Sequence, residues 1–210
     1  MLNLMTDLDK KIYHISKDKS IDNRLLFATA KAESNFNNFA HRPEEEYWNK
    51  YMKQNAPAWV NQFKQIYGAK FEPDEKTLIF LFSSSYGMCQ IMYPTAILNG
   101  FKSLNPMELF DETTNLNIAA NYLKHLYNKY PEIRTSHKER MKFTIGAYNA
   151  GRGSINSMLR LARACENKTI NEDGEWQTWD YSKNFLKDVT GSNATITIKH
   201  IDRIVDIIDN

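Results

Sequence analysis

The chain has 210 residues, of which 42% are apolar and 12% are aromatic. This length supports one sizeable hydrophobic core, so we expect a single compact domain over residues 1–210. The 27 basic and 25 acidic residues give a formal net charge of +2, which is too balanced to indicate a nucleic-acid-binding protein. Because no run of about 18 apolar residues occurs, stable membrane insertion is not expected.

The N-terminal residues include acids and lysines where a secretory signal needs an uninterrupted apolar segment. We therefore expect a protein that is made in the cytoplasm without its own export signal. Cys89 and Cys165 lie far apart, and neither has a Cys or His neighbour at metal-ligand spacing, so no metal or cofactor is expected. We favour two reduced thiols that pack as small hydrophobic side chains, with a disulfide as the alternative.

The first predicted helix has apolar residues three or four positions apart. These are Leu4, Leu8, Ile12 and Ile15. A second helix is predicted over residues 24–34, with Asp22 as its N-cap. The Asn-rich sequence that follows favours a loop, because Asn side chains compete with the helix for backbone hydrogen bonds. Glu33 is therefore expected at a helix end that opens onto a loop.

The middle of the chain is charged and aromatic over residues 41–82, and its prolines predict two or three short helices there. A turn is predicted over residues 83–87. It is followed by a buried helix over residues 88–98, which Pro94 is expected to interrupt. Residues 115–130 form the clearest amphipathic helical pattern of the chain.

Helices are also predicted over residues 139–148 and 154–166, with Gly151 and Gly153 forming the turn between them. The polar residues 167–179 are expected to loop out, and apolar spacing near the C-terminus predicts a closing helix. The fold class is thus mainly α, with a C-terminal helical extension over residues 167–210. Tryptophans are expected in or beside the core, with sugar stacking as the alternative. They are Trp48, Trp59, Trp176 and Trp179.

Three segments, at residues 32–36, 85–92 and 146–151, combine into one chemical pattern. The first carries a single carboxylate, Glu33, at the end of an apolar helix. The other two supply amide, hydroxyl and aromatic groups. Such a set suits the cleavage of a glycosidic bond by one general acid/base. Together the three segments point to peptidoglycan.

Four blocks of sequence, found in a fixed order, support this interpretation. They are the Glu33 block (Glu33-Ser34-Asn35-Phe36), the Gly87 block (residues 87–92, with Gln90-Ile91-Met92), the Asp111 block (Asp111 to Asn115, leading to Tyr122-Leu123) and the Tyr148 block (Ala147-Tyr148-Asn149-Ala150-Gly151). Over residues 21–160 they resemble the soluble lytic transglycosylase (SLT) domain of the lysozyme-like superfamily, most of all the versions carried by bacteriophages and prophages. The resemblance implies a lysozyme-like fold with a helical insertion before the Ser-Tyr-Gly sequence. One block would be weak evidence, but four in order are strong.

The resemblance implies that Glu33 is catalytic. In this family one Glu protonates the oxygen between N-acetylmuramic acid and N-acetylglucosamine, and then acts as base on the muramic 6-hydroxyl. The product is a 1,6-anhydro sugar, and no water is consumed. Such a carboxyl needs a pKa raised toward neutrality, which we expect from burial against Phe36 and Met92. Without the other blocks, Glu33 would be interpreted as a solvated helix-terminal carboxylate.

The resemblance also implies roles for other residues. Tyr148 would be a second catalytic residue, whose hydroxyl helps to hold the carboxyl and the reacting sugar. Gln90 would bind the N-acetyl or hydroxyl groups of the sugar, and Met92 would line the cleft. Gly87 would let the substrate approach the backbone, or would be an ordinary turn glycine. The implied substrate-binding residues are Ser85, Gly87, Gln90, Met92, Ala147 and Asn149.

The chain departs from the family pattern at two places. The family serine that supports the acid is replaced by Leu81, and Ser83, Ser84 or Ser85 are the alternatives. A later family block has the approximate sequence Glu-Thr-x-x-Tyr-Val. The corresponding residues here, 181–186, lack its acid and its tyrosine hydroxyl. No catalytic role is therefore expected in that later segment.

Two alternatives to a lytic transglycosylase stay open. A muramidase on the same fold would hydrolyse the same bond with a second carboxylate, such as Asp111 or one of Glu44, Glu45 and Glu46. A wall-binding or virion structural module would keep the fold without activity. The expected partner is the glycan strand of peptidoglycan, bound by a monomer. The enzyme would reach the cell wall through a holin, by lysis, within a virion or by specialised secretion.

Overall fold

The structure is a computed structural model that describes residues 5–44, 47–68, 70, 72–103 and 105–210, without the side chains of residues 50, 51, 62, 66, 67 and 75. Leu4, Glu45 and Glu46 lie outside the described residues. The chain forms two compact units. The first consists of Met1–Ile15 and Glu33–Tyr122, and the second consists of Ser16–Ala32 and Leu123–Asn210.

Helices dominate the described residues, as predicted. The α-helices are α1 (Asp7–Lys19), α2 (Asn23–Ser34), α3 (Ala56–Tyr67), α4 (Glu75–Phe82), α5 (Tyr93–Leu98), α6 (Glu112–Tyr127), α7 (His137–Ala150), α8 (Arg152–Cys165), α9 (Trp179–Ser182), α10 (Leu186–Thr190) and α11 (Asn193–Asp209). Single helical turns of other types occur at Trp48–Met52, Pro106–Phe110, Glu175–Gln177 and Lys183–Phe185. The mainly α fold class is thereby confirmed.

The first unit also contains a small antiparallel sheet that the sequence did not predict. Its strands are β1 (His41–Pro43), β2 (Ser84–Tyr86) and β3 (Ile91–Met92), in the order β1-β2-β3. His41 lies opposite Tyr86, and Ser85 lies opposite Met92. The predicted turn over residues 83–87 is therefore wrong. Strands of two or three residues are too short to show the alternation that identifies a strand in sequence.

The helix predicted over residues 88–98 is wrong in its first half. Residues 87–90 form the tight connection between β2 and β3, and Gln90 takes a positive φ of 49° there. The helix itself begins only at Tyr93, with Pro94 in its first turn. Proline is favoured at that position because the first helical N–H groups have no partner within the helix. Pro94 thus starts a helix and does not interrupt one.

The core of the first unit is aromatic. The ring of Phe63, from α3, lies 5.1 Å from that of Phe82 and 5.4 Å from that of Tyr93, measured between centroids. All three side chains are fully buried. Trp59 packs at the edge of this cluster, 6.4 Å from both Phe63 and Phe82. Aromatic pairs at such distances stabilise a core beyond the burial of their area, and here they hold the inserted helices α3 and α4.

In the second unit, α7 approaches its neighbours closely at Gly146. A Cβ at this glycine would lie 3.0 Å from Ile155 Cδ1, 3.3 Å from Ile201 Cδ1 and 3.4 Å from Trp179 Cζ3. The absent side chain therefore lets α8, α9 and α11 pack against one point of α7. This packing buries the helix immediately before the Tyr148 block.

The segment over residues 167–179 does not loop out at its C-terminal end. Trp176 is 0% and Trp179 is 1% exposed. Their backbone N–H groups donate to the carboxylates of Glu166 and Glu139, respectively, which fixes the segment to α8 and α7. The predicted loop is wrong at these residues, whereas the core position expected for the tryptophans is confirmed. Trp48 is also buried, and Trp59 lies at the core edge.

Both cysteines are described, and neither is part of a disulfide. Cys89 is buried as expected, but Cys165 is exposed, so the prediction that both pack as hydrophobic side chains is wrong for Cys165. Burial raises the pKa of the Cys89 thiol, and the negative charge of Glu33 raises it further. Both effects disfavour the reactive thiolate of Cys89.

A thiol-labelling experiment tests this difference. We expect the folded protein to take up one maleimide at neutral pH, at Cys165, and a second only after denaturation, since the thiolate is the reactive form and Cys89 is buried. Mass spectrometry of the intact protein counts the adducts, and the Cys165→Ser variant serves as the control. Two rapid adducts on the folded protein would show that the Gly87 block opens to solvent.

Candidate active site

Glu33 occupies the end of α2, as predicted. The helix begins after Asp22, whose side chain accepts a hydrogen bond from the backbone N–H of Arg24 at 2.9 Å, in keeping with its predicted capping role. Glu33 is the penultimate helical residue and is half-buried. Asn35 and Phe36 then take positive φ values of 53° and 64°, which ends the helix. The carboxylate thus lies where a helix opens onto a loop.

The residue next to Glu33 ties the helix end to the Gly87 block. The hydroxyl of Ser34 donates to the carbonyl oxygen of Met88 at 2.8 Å and accepts from the backbone N–H of Asn37 at 2.9 Å. The first two predicted blocks therefore come together within one unit.

The loop after Glu33 is also held from the other side. The carboxylate of Glu112, in the first turn of α6, pairs with Lys11 at 2.5 Å and accepts a longer bond from Asn38 Nδ2 at 3.4 Å. Asn38 belongs to the loop between Glu33 and β1. This contact links that loop to the parts of α1 and α6 that belong to the first unit.

The side chain of Gln90 is bound within the protein at both ends of its amide. Its Nε2 donates to the carbonyl oxygens of Ala40 at 3.0 Å and Gly87 at 2.9 Å, and its Oε1 accepts from the hydroxyl of Ser85 at 3.0 Å. Since both amide protons are used, any hydrogen bond from Gln90 to a sugar has to involve the amide oxygen. The sugar-binding roles of Gln90 and Ser85 stay predictions, alongside this structural role.

Gly87 is required by packing inside the protein. Its φ is 72°, and a Cβ built on it would overlap the carbonyl oxygen of Leu109 and the side-chain amide of Asn115. Asn115 is fully buried, and its Nδ2 donates to the carbonyl oxygens of Tyr86 and Leu109 at 2.9 and 2.8 Å. The Oδ1 atom accepts from the backbone N–H of Cys89 at 2.8 Å. The glycine therefore makes room for Asn115, independently of any contact with a substrate.

Sequence reasoning did not single out Asn115 as a site residue. The available signal was its place at the end of the Asp111 block. Because its amide fixes the backbone on both sides of Gly87, Asn115 positions the turn that faces the Glu33 helix end.

The hydroxyls of the Ser83–Ser85 sequence are buried with their strand. Ser83 donates to the carbonyl oxygen of Ile79, while Ser84 interacts with the hydroxyl of Tyr86. Burial raises the pKa of Tyr86 to about 12, and the Ser84 hydrogen bond opposes this shift. The serine that ties the Glu33 helix end to the Gly87 block is Ser34. Met92 follows in β3, where it is half-buried and lies opposite Ser85.

The Tyr148 block lies in the last turn of α7, in the second unit. Ala147 is fully buried, Tyr148 is half-buried and Asn149 is exposed. Ala147 therefore has no surface to offer a sugar directly. The side-chain oxygen of Asn149 accepts a hydrogen bond from Thr197 of α11 at 2.9 Å. The helix stops at Gly151, whose φ is 82°, whereas Gly153 is already inside α8 and does not form the predicted turn.

The described candidates for a second carboxylate have other partners. Glu44 pairs with Arg42, and its backbone N–H donates to the carbonyl oxygen of Ser83 at 2.6 Å. The side chain of Asp111 accepts from the backbone N–H of Thr114 at 2.8 Å, and its hydrogen bonds with Thr114 lower the pKa of Asp111. Asp111 is thus the cap of α6, which explains why that helix begins earlier than predicted.

Within the described part of the chain, no group of three or more His, Cys, Asp or Glu side chains has the arrangement of a metal site. Nor does any helix in the same residues combine the length and apolarity needed to cross a bilayer.

A comparison with family models identifies the chain. The model of the transglycosylase SLT domain matches residues 11–171, which extends the resemblance over residues 21–160 at both ends. A comparison with curated proteins finds no match. The match covers more than half of the chain and includes Glu33, the Gly87 and Asp111 blocks, and Tyr148. The chain therefore belongs to the transglycosylase SLT domain family, with a lysozyme-like fold and an activity of the lytic transglycosylase type on peptidoglycan.

Proposed function

We propose that the protein cleaves the MurNAc-β-1,4-GlcNAc bond of peptidoglycan without water, with Glu33 as the single acid and base. The observation that supports this proposal is the position of Glu33. Its carboxylate lies half-buried at a helix end that Ser34 ties to the Gly87 block. Of the other described carboxylates considered, Glu44 pairs with Arg42 and Asp111 caps α6.

The proposed reaction returns Glu33 to its starting state. The protonated carboxyl donates its proton to the glycosidic oxygen as the bond to C1 of the muramic sugar breaks, and the N-acetylglucosamine leaves with a free hydroxyl. The carboxylate of Glu33 then removes the proton of the muramic 6-hydroxyl, whose oxygen bonds to C1. The 1,6-anhydro ring closes and Glu33 is protonated again. A second carboxylate to activate water is not needed.

We assign the remaining roles by the family motifs. Tyr148 contributes its hydroxyl as the second catalytic residue. The sugars are contacted by Met92, by Asn149 and by the amide oxygen of Gln90. These groups are kept in place by Ser85, Gly87 and Ala147. We separate contacting from supporting residues in this way because the Ser85 hydroxyl donates a hydrogen bond to Gln90 and because Ala147 is fully buried.

The products of digestion distinguish this reaction from hydrolysis. We expect purified sacculi treated with the protein to release muropeptides with anhydro ends, lighter by one water than reducing ends. In water labelled with heavy oxygen, these ends should carry no label, because no water enters the reaction. Mass spectrometry reads both signals, and a hydrolysing muramidase run in parallel is the control. Reducing ends that carry the label would identify the chain as a muramidase.

We also propose that the protein works at the cell wall as a monomer and is bacteriolytic, either as an endolysin or within a virion. The peptidoglycan activity of the family supports the cell wall as the place of action.

A further inference from the structure

Four aromatic side chains in successive contact form a group at the surface of the first unit, which we name the aromatic strip. Phe39 is 78% exposed and Phe80 is 42% exposed. His41 is also exposed, and Phe110 is half-buried. Surface apolar side chains that occur singly need no explanation, but a contiguous exposed group indicates a binding surface.

The rings of the aromatic strip follow one another at contact distance. The centroid of Phe39 lies 6.1 Å from that of Phe110, which lies 6.5 Å from that of His41. His41 lies 5.8 Å from Phe80. The strip is therefore one connected group of aromatic rings.

A buried tyrosine supports the aromatic strip from below. The Tyr86 ring lies 5.1 Å from His41, 5.8 Å from Phe110 and 6.1 Å from Phe80. Tyr86 is fully buried, and its hydroxyl donates to the carbonyl oxygen of Phe80 at 2.9 Å. Three of the four rings thus rest on one fixed side chain, so binding a ligand there costs little side-chain ordering.

The strip is continuous with the candidate active site. Phe39 and His41 flank Ala40, whose carbonyl oxygen accepts from the backbone N–H of Gly87 at 2.8 Å and from Gln90 Nε2 at 3.0 Å. The loop that carries Phe39 begins directly after the Glu33 helix, and His41 is the first residue of β1, where that loop ends. The same hydrogen bonds therefore fix the strip and the Gly87 block.

We propose that the aromatic strip binds sugar rings of the glycan strand beyond the bond that is cleaved. This inference rests on the proposed function, which supplies the polymer. The C–H faces of a pyranose carry a slight positive charge and suit the negative face of an aromatic ring. A glycan strand carries such pyranose rings in succession, so a surface of several adjacent aromatic rings can contact more than one of them. The strip would hold the strand while Glu33 acts on one of its bonds.

Binding to insoluble wall tests the strip separately from catalysis. In the Glu33→Gln background, we expect Phe39→Ala to weaken binding to purified sacculi by about three- to tenfold, the effect of losing one stacked ring. Phe39→Trp should keep the affinity. Leu98→Ala removes another exposed apolar side chain, 59% exposed and outside the strip, and should change nothing. Co-sedimentation with sacculi measures the affinity. Thermal unfolding checks the fold, which should be unaffected because Phe39 is largely exposed.

Kinetics give a second readout. With Glu33 intact, Phe39→Ala should raise KM on sacculi with kcat nearly unchanged, because the strip binds the strand equally before and during the reaction. Unchanged sacculus binding by Phe39→Ala would overturn the inference. It would also be overturned if Phe39→Ala lost affinity for lipid vesicles while its affinity for sacculi stayed the same. If the natural protein cleaves sacculi and Phe39→Ala binds normally, only this inference fails. If Phe39 governs binding but no anhydro ends form, only the proposed function fails.

Discussion

Replacing Glu33 with Gln is expected to lower the rate of peptidoglycan cleavage by about a thousandfold or more, within the range that general acid–base catalysis contributes. The amide keeps the size of the side chain, but it is not acidic enough to protonate the glycosidic oxygen. It is also not basic enough to remove the proton of the muramic 6-hydroxyl. Because Glu33 is half-buried at a helix end, its loss should leave the fold intact. The release of soluble muropeptides from sacculi measures the rate.

The same change at the other described carboxylates provides matched controls. Glu44→Gln removes only the charge that pairs with Arg42, and Asp111→Asn keeps an oxygen that can cap α6. Both variants should retain activity within about twofold, since surface ion pairs contribute little and Asn is a good cap. An equal loss in Glu44→Gln or Asp111→Asn would reveal a second catalytic carboxylate. Full activity of Glu33→Gln would remove Glu33 from the reaction.

Long periodic segments and ordered motifs were sufficient to predict most of the fold. The helix α2, with Glu33 in its last turn, follows from its apolar spacing, the Asp22 cap and the asparagines after it, all of which act within a few residues. The amphipathic α6 was predicted for the same reason, with an error of three residues at each end against Glu112–Tyr127. Local signals of this kind need no knowledge of tertiary contacts.

The features that sequence alone missed depend on contacts between distant residues. The strand Ser84–Tyr86 exists because it pairs with β1, more than forty positions earlier in the chain. The buried amide of Asn115 bonds Tyr86 and Cys89, which no periodicity can show. Likewise, Trp176 and Trp179 lie in a polar sequence, and their backbone N–H groups are bound by Glu166, which follows α8, and by Glu139 of α7. Tertiary structure overrides local preference at these places.

Replacing Gly87 with Ala is expected to lower the free energy of unfolding by about 3–5 kcal/mol, from two separate costs. The positive φ of 72° is unfavourable for any residue with a Cβ. In addition, the new methyl group would overlap Asn115 and the carbonyl oxygen of Leu109, so the buried amide has to move. Urea denaturation at equilibrium measures the change. Against a typical total stability of about 5–15 kcal/mol, this loss is large.

Two other glycines separate these costs. Gly151 has a φ of 82° with open space at its Cβ position, so Gly151→Ala should show only the backbone cost, about 1–3 kcal/mol. Gly153 lies in α8 with open space, so Gly153→Ala should raise the free energy of unfolding by about 0.5–1 kcal/mol, as expected for Ala in a helix. If Gly87→Ala costs no more than Gly151→Ala, Asn115 yields easily and does not fix the turn. If it costs more, the contact between Gly87 and Asn115 holds the turn to which Ser34 ties the end of α2. The backbone conformation and the packing against Asn115 then both require a glycine at this position, without reference to a substrate.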